Sequence, residues 1–270
     1  MRARKFAVMA LLAGAAGLFG QPAEKSGPPA IPYPPVRFEA GGYGMDFGKA
    51  GGWWRGEDAL VLIRASRWFV PEFSVDSRTS DAGSAQYYSF LSYANWTANF
   101  FTTQAIGGST ANGPVLFPRF RYDVKAWWKV PPRRKLVAGI GYTQFRFANG
   151  SRGQILNPGV VYYSGRWVVD AEAFANRSQP GGFWSGSGLA AVQRGQEGRH
   201  WAGVTVGAGR QVYRALSTTP VDVRFASVSV DAFYRQWLTR HFGFVVSAGY
   251  EDAFHNFRRT AISGHLFFEF

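Results

Sequence analysis

Apolar and polar residues alternate with a period of two through most of this chain, and this alternation constrains its fold more than any other feature. In residues 258–270 one face carries apolar and small side chains, and the other carries polar ones, including Ser263, His265 and Glu269. Successive side chains of a β-strand point to opposite faces, so the pattern indicates strands with one apolar face. The same alternation is clear in residues 117–128, 167–175, 224–237 and 242–250.

Turn signals between the alternating segments predict about fourteen antiparallel strands. A different division of residues 72–106 would give twelve strands instead. Either number is even, so the first strand should begin and the last strand should finish at the same end of the sheet. The predicted strands cover approximately residues 36–47, 57–69, 72–79, 84–94, 96–106, 115–129, 135–147, 153–163, 166–177, 183–194, 199–212, 223–237, 241–251 and 258–270.

The large aromatic residues gather at the predicted strand ends, beside short turns. Trp128 precedes the turn at 131–134, and Tyr163 precedes the turn at 164–165. Trp and Tyr favour the lipid–water interface, whereas a soluble sandwich buries them in mid-strand. The chain is rich in aromatic residues (17%) and glycine (33 residues), poor in charge (17%), and has a mean hydropathy of −0.15. We therefore predict an all-β fold, a single antiparallel transmembrane β-barrel, with a soluble β-sandwich or jelly roll as the alternative.

The N-terminal residues have the composition of a secretory signal peptide. Arg2, Arg4 and Lys5 precede an apolar run, Phe6 to Phe19, which is too short for a relaxed membrane span. The cleavage position is not defined, and a short membrane anchor is the alternative. No later stretch reaches 18 consecutive apolar residues, and strands cross a bilayer only as a closed barrel. The predicted organisation is a signal peptide at 1–23, a proline-rich periplasmic linker at 24–35 and the barrel at 36–270.

The charge and the absence of cysteine limit the possible partners. Thirty Lys and Arg against 17 Asp and Glu give a net charge of +13, and there is no cysteine. The basic residues are scattered through strand patterns and turns, so we do not expect nucleic acid binding. The expected partners are outer-membrane lipids and lipopolysaccharide, the barrel-assembly machinery, and an anionic or saccharide solute. We predict no cofactor and no metal site, since thiolate ligands are excluded.

A set of charged residues falls, by the same alternation, on the face opposite to the lipid. Such residues either close a barrel with ion pairs or line a path for polar solutes. A hydrated lumen with surplus arginine would lower the barrier for anions, so we expect weak anion preference if the barrel conducts. The candidate lumen-lining residues are Arg119, Arg121, Asp123, Lys125, Asp170, Glu172, Asp231 and Arg235.

Histidine, serine and carboxylate residues do not form a recognisable catalytic set. His265 and Ser263 lie two residues apart on one predicted strand, about 6–7 Å from each other and beyond hydrogen-bond reach. His255 lies near Asp252 in a predicted loop. A lipid hydrolase or acyltransferase needs an imidazole that touches its hydroxyl nucleophile. We therefore predict that the chain is not an enzyme and has no catalytic residues.

The C-terminal strand and several hairpins resemble known outer-membrane proteins. The chain ends in Leu266-Phe267-Phe268-Glu269-Phe270, which is similar to the signal by which outer-membrane barrels are recognised for assembly, and Phe268 and Phe270 are its candidate residues. Four other stretches resemble the YaiO family of outer-membrane β-barrel proteins: Phe117–Val124, Gly139–Tyr142, Val161–Gly165 and Val246–Tyr250. The resemblance implies an outer-membrane barrel without established enzymatic chemistry. Some relatives carry tetratricopeptide-type repeats before the barrel, as exopolysaccharide export proteins do. The resemblance therefore implies an exopolysaccharide-associated role, although this chain does not contain such repeats.

The features of the sequence together predict a porin-like barrel in the outer membrane of a Gram-negative cell envelope. We expect a non-enzymatic pore or accessory for the passage of polar or saccharide-like material. A structural barrel with a closed lumen and an outer-membrane lipid-modifying enzyme are the alternatives.

Overall fold

Fourteen antiparallel strands form one closed barrel in the computed structural model, which describes residues 34–48, 52–81, 83–110, 117–214, 222–254 and 257–270. The strands are β1 (Val36–Asp46), β2 (Trp53–Ile63), β3 (Phe69–Ser80), β4 (Gly83–Asn95), β5 (Phe100–Ser109), β6 (Phe120–Lys129), β7 (Leu136–Arg146), β8 (Arg152–Ser164), β9 (Trp167–Gln179), β10 (Phe183–Gln196), β11 (His200–Arg214), β12 (Asp222–Trp237), β13 (Phe242–Asp252) and β14 (Arg258–Glu269).

The barrel is closed by pairing of the first strand with the last. Every strand also pairs with its neighbours in the chain, and β1 pairs with β14 from Arg37–Glu269 to Asp46–Thr260. The ladder therefore has no free edge, which is the condition for a sheet to cross a bilayer. Within the described ranges no apolar helix is long enough to span a membrane.

The period-two pattern of the sequence separates an outer from an inner surface. In β6, Tyr122 and Trp128 point outward and are exposed, whereas Asp123, Lys125 and Trp127 point inward. The same parity, carried from strand to strand by the register, gives the outer surface a belt of exposed apolar residues. This belt includes Ile140, Val160, Val204, Val230, Ile262 and Leu266, each more than 40% exposed. An apolar surface of this kind is stable only against lipid.

The predicted all-β barrel and its count of fourteen strands are confirmed. The main errors concern strands next to glycine-rich or polar segments. We predicted β2 at 57–69, but it spans Trp53–Ile63: the strand starts earlier and continues through Gly56, and residues 64–68 form the connection to β3. We predicted β5 at 96–106, but Thr97 caps a turn and the strand begins at Phe100. The signal peptide at 1–23 and most of the linker at 24–35 lie outside the described residues.

The two ends of the barrel differ in their connections. The terminus end, where β1 begins and β14 ends, has turns of two to six residues, the longest at 130–135. The opposite, loop end carries the longer connections at 110–119 and 215–221. Bacterial barrels have short periplasmic turns and longer extracellular loops, so the terminus end is the one that we expect to face the periplasm.

Candidate functional site in the barrel lumen

Inward-facing glycines allow long side chains to reach across a neighbouring strand. His265 on β14, Gly41 on β1 and Asp58 on β2 are successive partners in the register. A Cβ atom on Gly41 would collide with the His265 ring, so only glycine leaves room for it. His265 Nε2 consequently lies 2.9 Å from Asp58 Oδ1 on the far side of β1.

Two of the predicted lumen residues, Arg121 and Asp123, form a bidentate pair on β6. Arg121 Nε and its NH2 group donate to the two Asp123 carboxylate oxygens at 2.7 and 2.8 Å. The Thr143 hydroxyl on β7 donates to the same carboxylate at 2.5 Å. This paired geometry is the strongest form of Arg–carboxylate contact, so these charges largely satisfy each other.

The predicted residues Lys125, Asp170 and Glu172 meet across β7 and β8. Lys125 Nζ lies 2.7 Å from Glu172 Oε1, and the Asn157 amide donates to Glu172 Oε2 at 2.8 Å. The Lys125 side chain passes over Gly141, where a Cβ atom would leave too little space. Asp170 points into the same side of the lumen, and its Oδ1 has no hydrogen-bond partner in the described part of the chain.

The remaining predicted residues fall into three situations. Arg235 NH2 donates to Glu39 Oε2 at 2.8 Å, which joins β12 to β1. Asp231 points inward beside Gly249 of β13. Arg119, in contrast, is exposed in a bend before β6 begins, because the strand starts at Phe120 and not at 115. The structure therefore places Arg119 at the loop end and not on the lumen wall with the others.

At the terminus end, Arg37 is the centre of a buried cluster that the sequence analysis missed. Its guanidinium donates to Glu269 of β14 and, at 2.7 Å, to Glu197 in the turn between β10 and β11. Trp237 Nε1 donates to the other Glu269 oxygen at 2.9 Å, and the Phe267 ring lies against the guanidinium. We call these five residues the terminus-end cluster; through Glu197 it connects a turn to the opposite wall.

At the loop end, aromatic rings surround a second buried arginine, Arg78. Its Nε donates to the Tyr43 hydroxyl at 2.8 Å, and Tyr43 donates to Asp76 at 2.7 Å. The Phe117 ring, from the segment before β6, stacks over the Arg78 guanidinium at 4.3 Å and is fully buried. Trp54 completes this group, which we call the loop-end cluster. A residue of a connecting segment therefore enters the lumen at this end too.

Between the two clusters the lumen is lined by small polar side chains. Ser74 and Ser89 are hydrogen-bonded at 2.6 Å, and Ser247 and Ser263 at 2.7 Å. These inward-facing residues remain partly exposed, so the barrel is not filled at this level. The middle of the lumen therefore has solvent-accessible polar side chains, and at each end a residue of a connecting segment contacts the wall.

The charge balance of the lumen differs from that of the whole chain. Acidic residues outnumber basic ones among the described inward-facing side chains, so the expected surplus of arginine is wrong. The basic residues are Arg37, Arg78, Arg121, Lys125, Lys129, Arg235 and Arg259. The acidic residues are Glu39, Asp58, Glu72, Asp76, Asp123, Asp170, Glu172, Asp231, Glu251 and Glu269.

A comparison with protein families decides what kind of barrel this is. The sequence profile described as the YaiO membrane beta barrel domain matches residues 61–214, more than half of the chain. The chain belongs to this family. The match confirms the predicted resemblance and, with the closed fourteen-stranded barrel, the predicted location in the bacterial outer membrane.

Solved outer-membrane channels share the fold of this YaiO barrel at very low sequence identity. A bacterial polysaccharide outer membrane secretin has a TM-score of 0.53 and 6% identity over 88% of this chain and 99% of its own. The CymD monoaromatic hydrocarbon channel has a TM-score of 0.53 and 8% identity over 88% and 89%. An outer membrane channel from Pseudomonas putida has a TM-score of 0.52 and 9% identity over 89% and 97%. No curated protein sequence matches the chain.

The candidate assembly signal lies on the outer surface of the YaiO barrel. Phe268 points toward lipid and packs against Phe242 of β13, with ring centroids 4.9 Å apart. Phe270 follows β14, is 66% exposed, and its amide donates to the Val36 carbonyl at 2.9 Å. Both residues are therefore accessible to another protein or to lipid, which is compatible with the predicted signal.

Of the two histidine pairs considered for catalysis, the one that the structure describes, His265 and Ser263, does not come together. His265 bonds Asp58, whereas Ser263, its candidate partner, bonds Ser247. His255 lies outside the described residues. In the same described part of the YaiO barrel, no group of three or more His, Asp or Glu residues has the arrangement of a metal site.

Proposed function

We propose that this outer-membrane barrel is a non-enzymatic, porin-like passage protein for polar, saccharide-like solutes. The observation that carries the proposal is the polar middle of the lumen, where paired hydroxyl groups of β3–β4 and β13–β14 point inward and remain solvent-accessible. Hydroxyl and carboxylate groups on a pore wall replace the water that a polar solute loses on entry. A barrel whose only role was structural would gain nothing from leaving them hydrated.

The saccharide part of the proposal is supported by aromatic rings on the inner wall toward the terminus end. Tyr93, Tyr163 and Trp201 pack on the buried residues around Trp127 and remain partly exposed to the lumen. A sugar ring presents an apolar face and several hydroxyls, so a wall with both exposed rings and hydrogen-bonding groups suits it. The polysaccharide secretin of similar fold is consistent with this class of solute, although its likeness is one of fold.

The two clusters favour the closed-lumen alternative. Glu197 and Phe117 both enter the lumen from connecting segments and narrow its ends. The two alternatives are distinguished by placing the full chain in planar bilayers and in liposomes loaded with oligosaccharide. Passage predicts steady ion conductance and release of neutral oligosaccharides. A closed structural barrel predicts neither, and a complete absence of both would refute the proposed function.

The enzyme alternative depends on the His265–Asp58 pair, the one His–carboxylate contact found among the described residues of the lumen. Its hydroxyl partner is missing, since the nearest serine on β14, Ser263, bonds Ser247. We therefore expect that lipid A and phospholipids from cells expressing the chain are unchanged by mass spectrometry. A modified lipid that disappears with His265→Ala would establish an enzyme and overturn the non-enzymatic reading.

A further inference from the structure

Three arginines form a group on the outer surface of β7, β8 and β9, close to the loop end. Arg146 and Arg152 are direct cross-strand partners, and the register pairs Arg177 of β9 with Gln154. The residues next to them in the chain, Phe145, Gly153, Asn176 and Ser178, face the lumen. Because side chains alternate along a strand, all three arginines face outward. Arg177 is diagonal to Arg152, within the reach of two long side chains.

This arrangement is unfavourable for the barrel alone. Like charges directly opposite each other on adjacent strands destabilise the pair. The outer faces of β6 to β10 contain no aspartate or glutamate, and the connections at 147–151 and 180–182 contain none either. Arg177 Nε is buried and has no hydrogen-bond partner in the described part of the chain. The compensating anion must therefore come from outside the polypeptide.

The depth of the arginines indicates which anion they meet. Exposed aromatic residues lie at the same level: Phe120 is the cross-strand partner of Arg146, and Trp184 is the partner of Arg177. Such rings mark the lipid–water interface, so the guanidinium groups lie among lipid headgroups. The longer connections at this end assign it to the outside of the cell, where the outer leaflet consists of phosphorylated glycolipid.

We propose that Arg146, Arg152 and Arg177 form a binding site on the outer surface of the barrel for the phosphate groups of lipopolysaccharide. Guanidinium groups bind phosphate oxygens in bidentate fashion and remain charged at every physiological pH. The three residues lie on adjacent strands, which are about 4.8 Å apart, so their long side chains can converge on the phosphate groups of one headgroup. The exposed Trp184 ring, 5.7 Å from the Arg177 guanidinium, offers an apolar face beside the site.

The turn at 130–135 offers a matched control. Arg133, Arg134 and Lys135 are also three adjacent cations, but they lie at the terminus end, on the other side of the membrane. Replacing either triplet by glutamine removes the same charge. The control triplet has no direct cross-strand pairing and no girdle residues opposite it in the register.

The test compares the full-length barrel with Arg146→Gln/Arg152→Gln/Arg177→Gln and with Arg133→Gln/Arg134→Gln/Lys135→Gln. Purified protein in neutral detergent is titrated with lipopolysaccharide, with enzymatically dephosphorylated lipopolysaccharide and with phosphatidylglycerol, and bound lipid is measured by native mass spectrometry. Retained gel mobility of the unheated samples shows that each variant is folded. We expect the outer triplet variant to bind lipopolysaccharide at least about tenfold more weakly, since it loses the charge-assisted hydrogen bonds to phosphate.

The outcomes separate the proposal from its competitors. Wild-type affinity in the outer triplet variant would overturn the site. An equal loss in the control variant would show attraction by net charge alone, and equal binding of dephosphorylated lipopolysaccharide would remove phosphate as the ligand. If phosphatidylglycerol binds as tightly as lipopolysaccharide, the surface recognises any anionic lipid and the assignment to the glycolipid is wrong. None of these results depends on whether the barrel conducts.

Discussion

At the terminus end of the lumen, a carboxylate carried by a turn meets a buried arginine of β1, whereas at the loop end an aromatic ring carried by a connecting segment covers a buried arginine of β3. The first contact is between Glu197 and Arg37, at 2.7 Å. The second is between Phe117 and Arg78, at 4.3 Å from the ring centroid. At each end, therefore, an arginine on a strand of the barrel contacts a residue from a segment that connects two strands.

The chemistry of the two contacts leads to different responses. The terminus-end cluster is held by ion pairs, whose desolvated charges must all remain paired. At the loop end Arg78 is also ion-paired, with Asp76, but the residue from the connecting segment is held by packing, with Phe117 stacked on Tyr87 at 5.4 Å. Removing one member of an ion pair should therefore reduce the free energy of unfolding most at the terminus end. Truncating a packed side chain should matter more at the loop end.

The largest effect should follow Arg37→Met, which leaves Glu269 buried without its cation. The Glu269 side chain is only 3% exposed, and removing one partner of a buried pair typically costs about 3–5 kcal/mol. The free energy of unfolding in urea, followed in lipid vesicles, measures this loss. Arg258→Met is the control, because Arg258 is 73% exposed in its pair with Asp252 and should lose less than about 1 kcal/mol. Equal losses in both variants would contradict a buried ion-pair cluster.

Phe117→Ala should have the next largest effect, mainly through the loss of packing volume. The ring is fully buried, and truncating a buried Phe costs about 3 kcal/mol at the lower end of its usual range, which suits a residue outside a strand. The same urea experiment measures the loss, and raising the salt concentration should not change it. Phe254→Ala is the control, since Phe254 is 53% exposed beside the last loop-end connection. A strong salt dependence of the Phe117→Ala effect would mean that the two ends do not differ as described.

Glu197→Gln should reduce stability less, but it should measurably widen the path at the terminus end of the lumen. Glu197 is 30% exposed and Arg37 keeps Glu269, so we expect a loss of about 1 kcal/mol. Weakening its contact with the far wall should release the turn and raise single-channel conductance in planar bilayers. Arg199→Gln, in the same turn, is the control and should leave conductance unchanged. A conductance that stays at the wild-type level would show that this contact does not narrow the path.

The sequence was sufficient for the barrel because period two is visible in each strand separately. Parity on β6, β9 and β12 placed Arg121, Asp170 and Arg235 on the inner wall, where the structure also has them. The partners of these residues were not predictable, because they depend on the register between strands. The Lys125–Glu172 contact, for example, crosses two strands and requires glycine at 141.

The acidic side of the lumen was missed for a more specific reason. Asp58, Glu72 and Asp76 lie within the strands predicted at 57–69 and 72–79, but the alternation in these two segments is too weak to reveal which face is polar. The three residues therefore never entered the set of lumen residues. Much of the positive charge of the chain lies outside the lumen, on the outer surface and in terminus-end turns; these turns contain Arg64, Arg67, Arg133, Arg134, Lys135, Arg166, Arg199 and Arg240.

The smallest expected effect concerns ion selectivity. Here the acidic inner wall is compared with the basic turns at the terminus end. Acidic residues exceed basic ones on the inner wall, so a conducting barrel should prefer cations weakly, contrary to the expectation from the sequence. Asp170→Asn should reduce that preference, because Asp170 Oδ1 lacks a hydrogen-bond partner in the described structure and its removal leaves Lys125 paired with Glu172. Reversal potentials in a potassium chloride gradient measure the change, and Asp252→Asn, beside the loop-end opening, is the control. A wild-type barrel that prefers anions would show that the basic turns, and not the lumen wall, determine which ions enter.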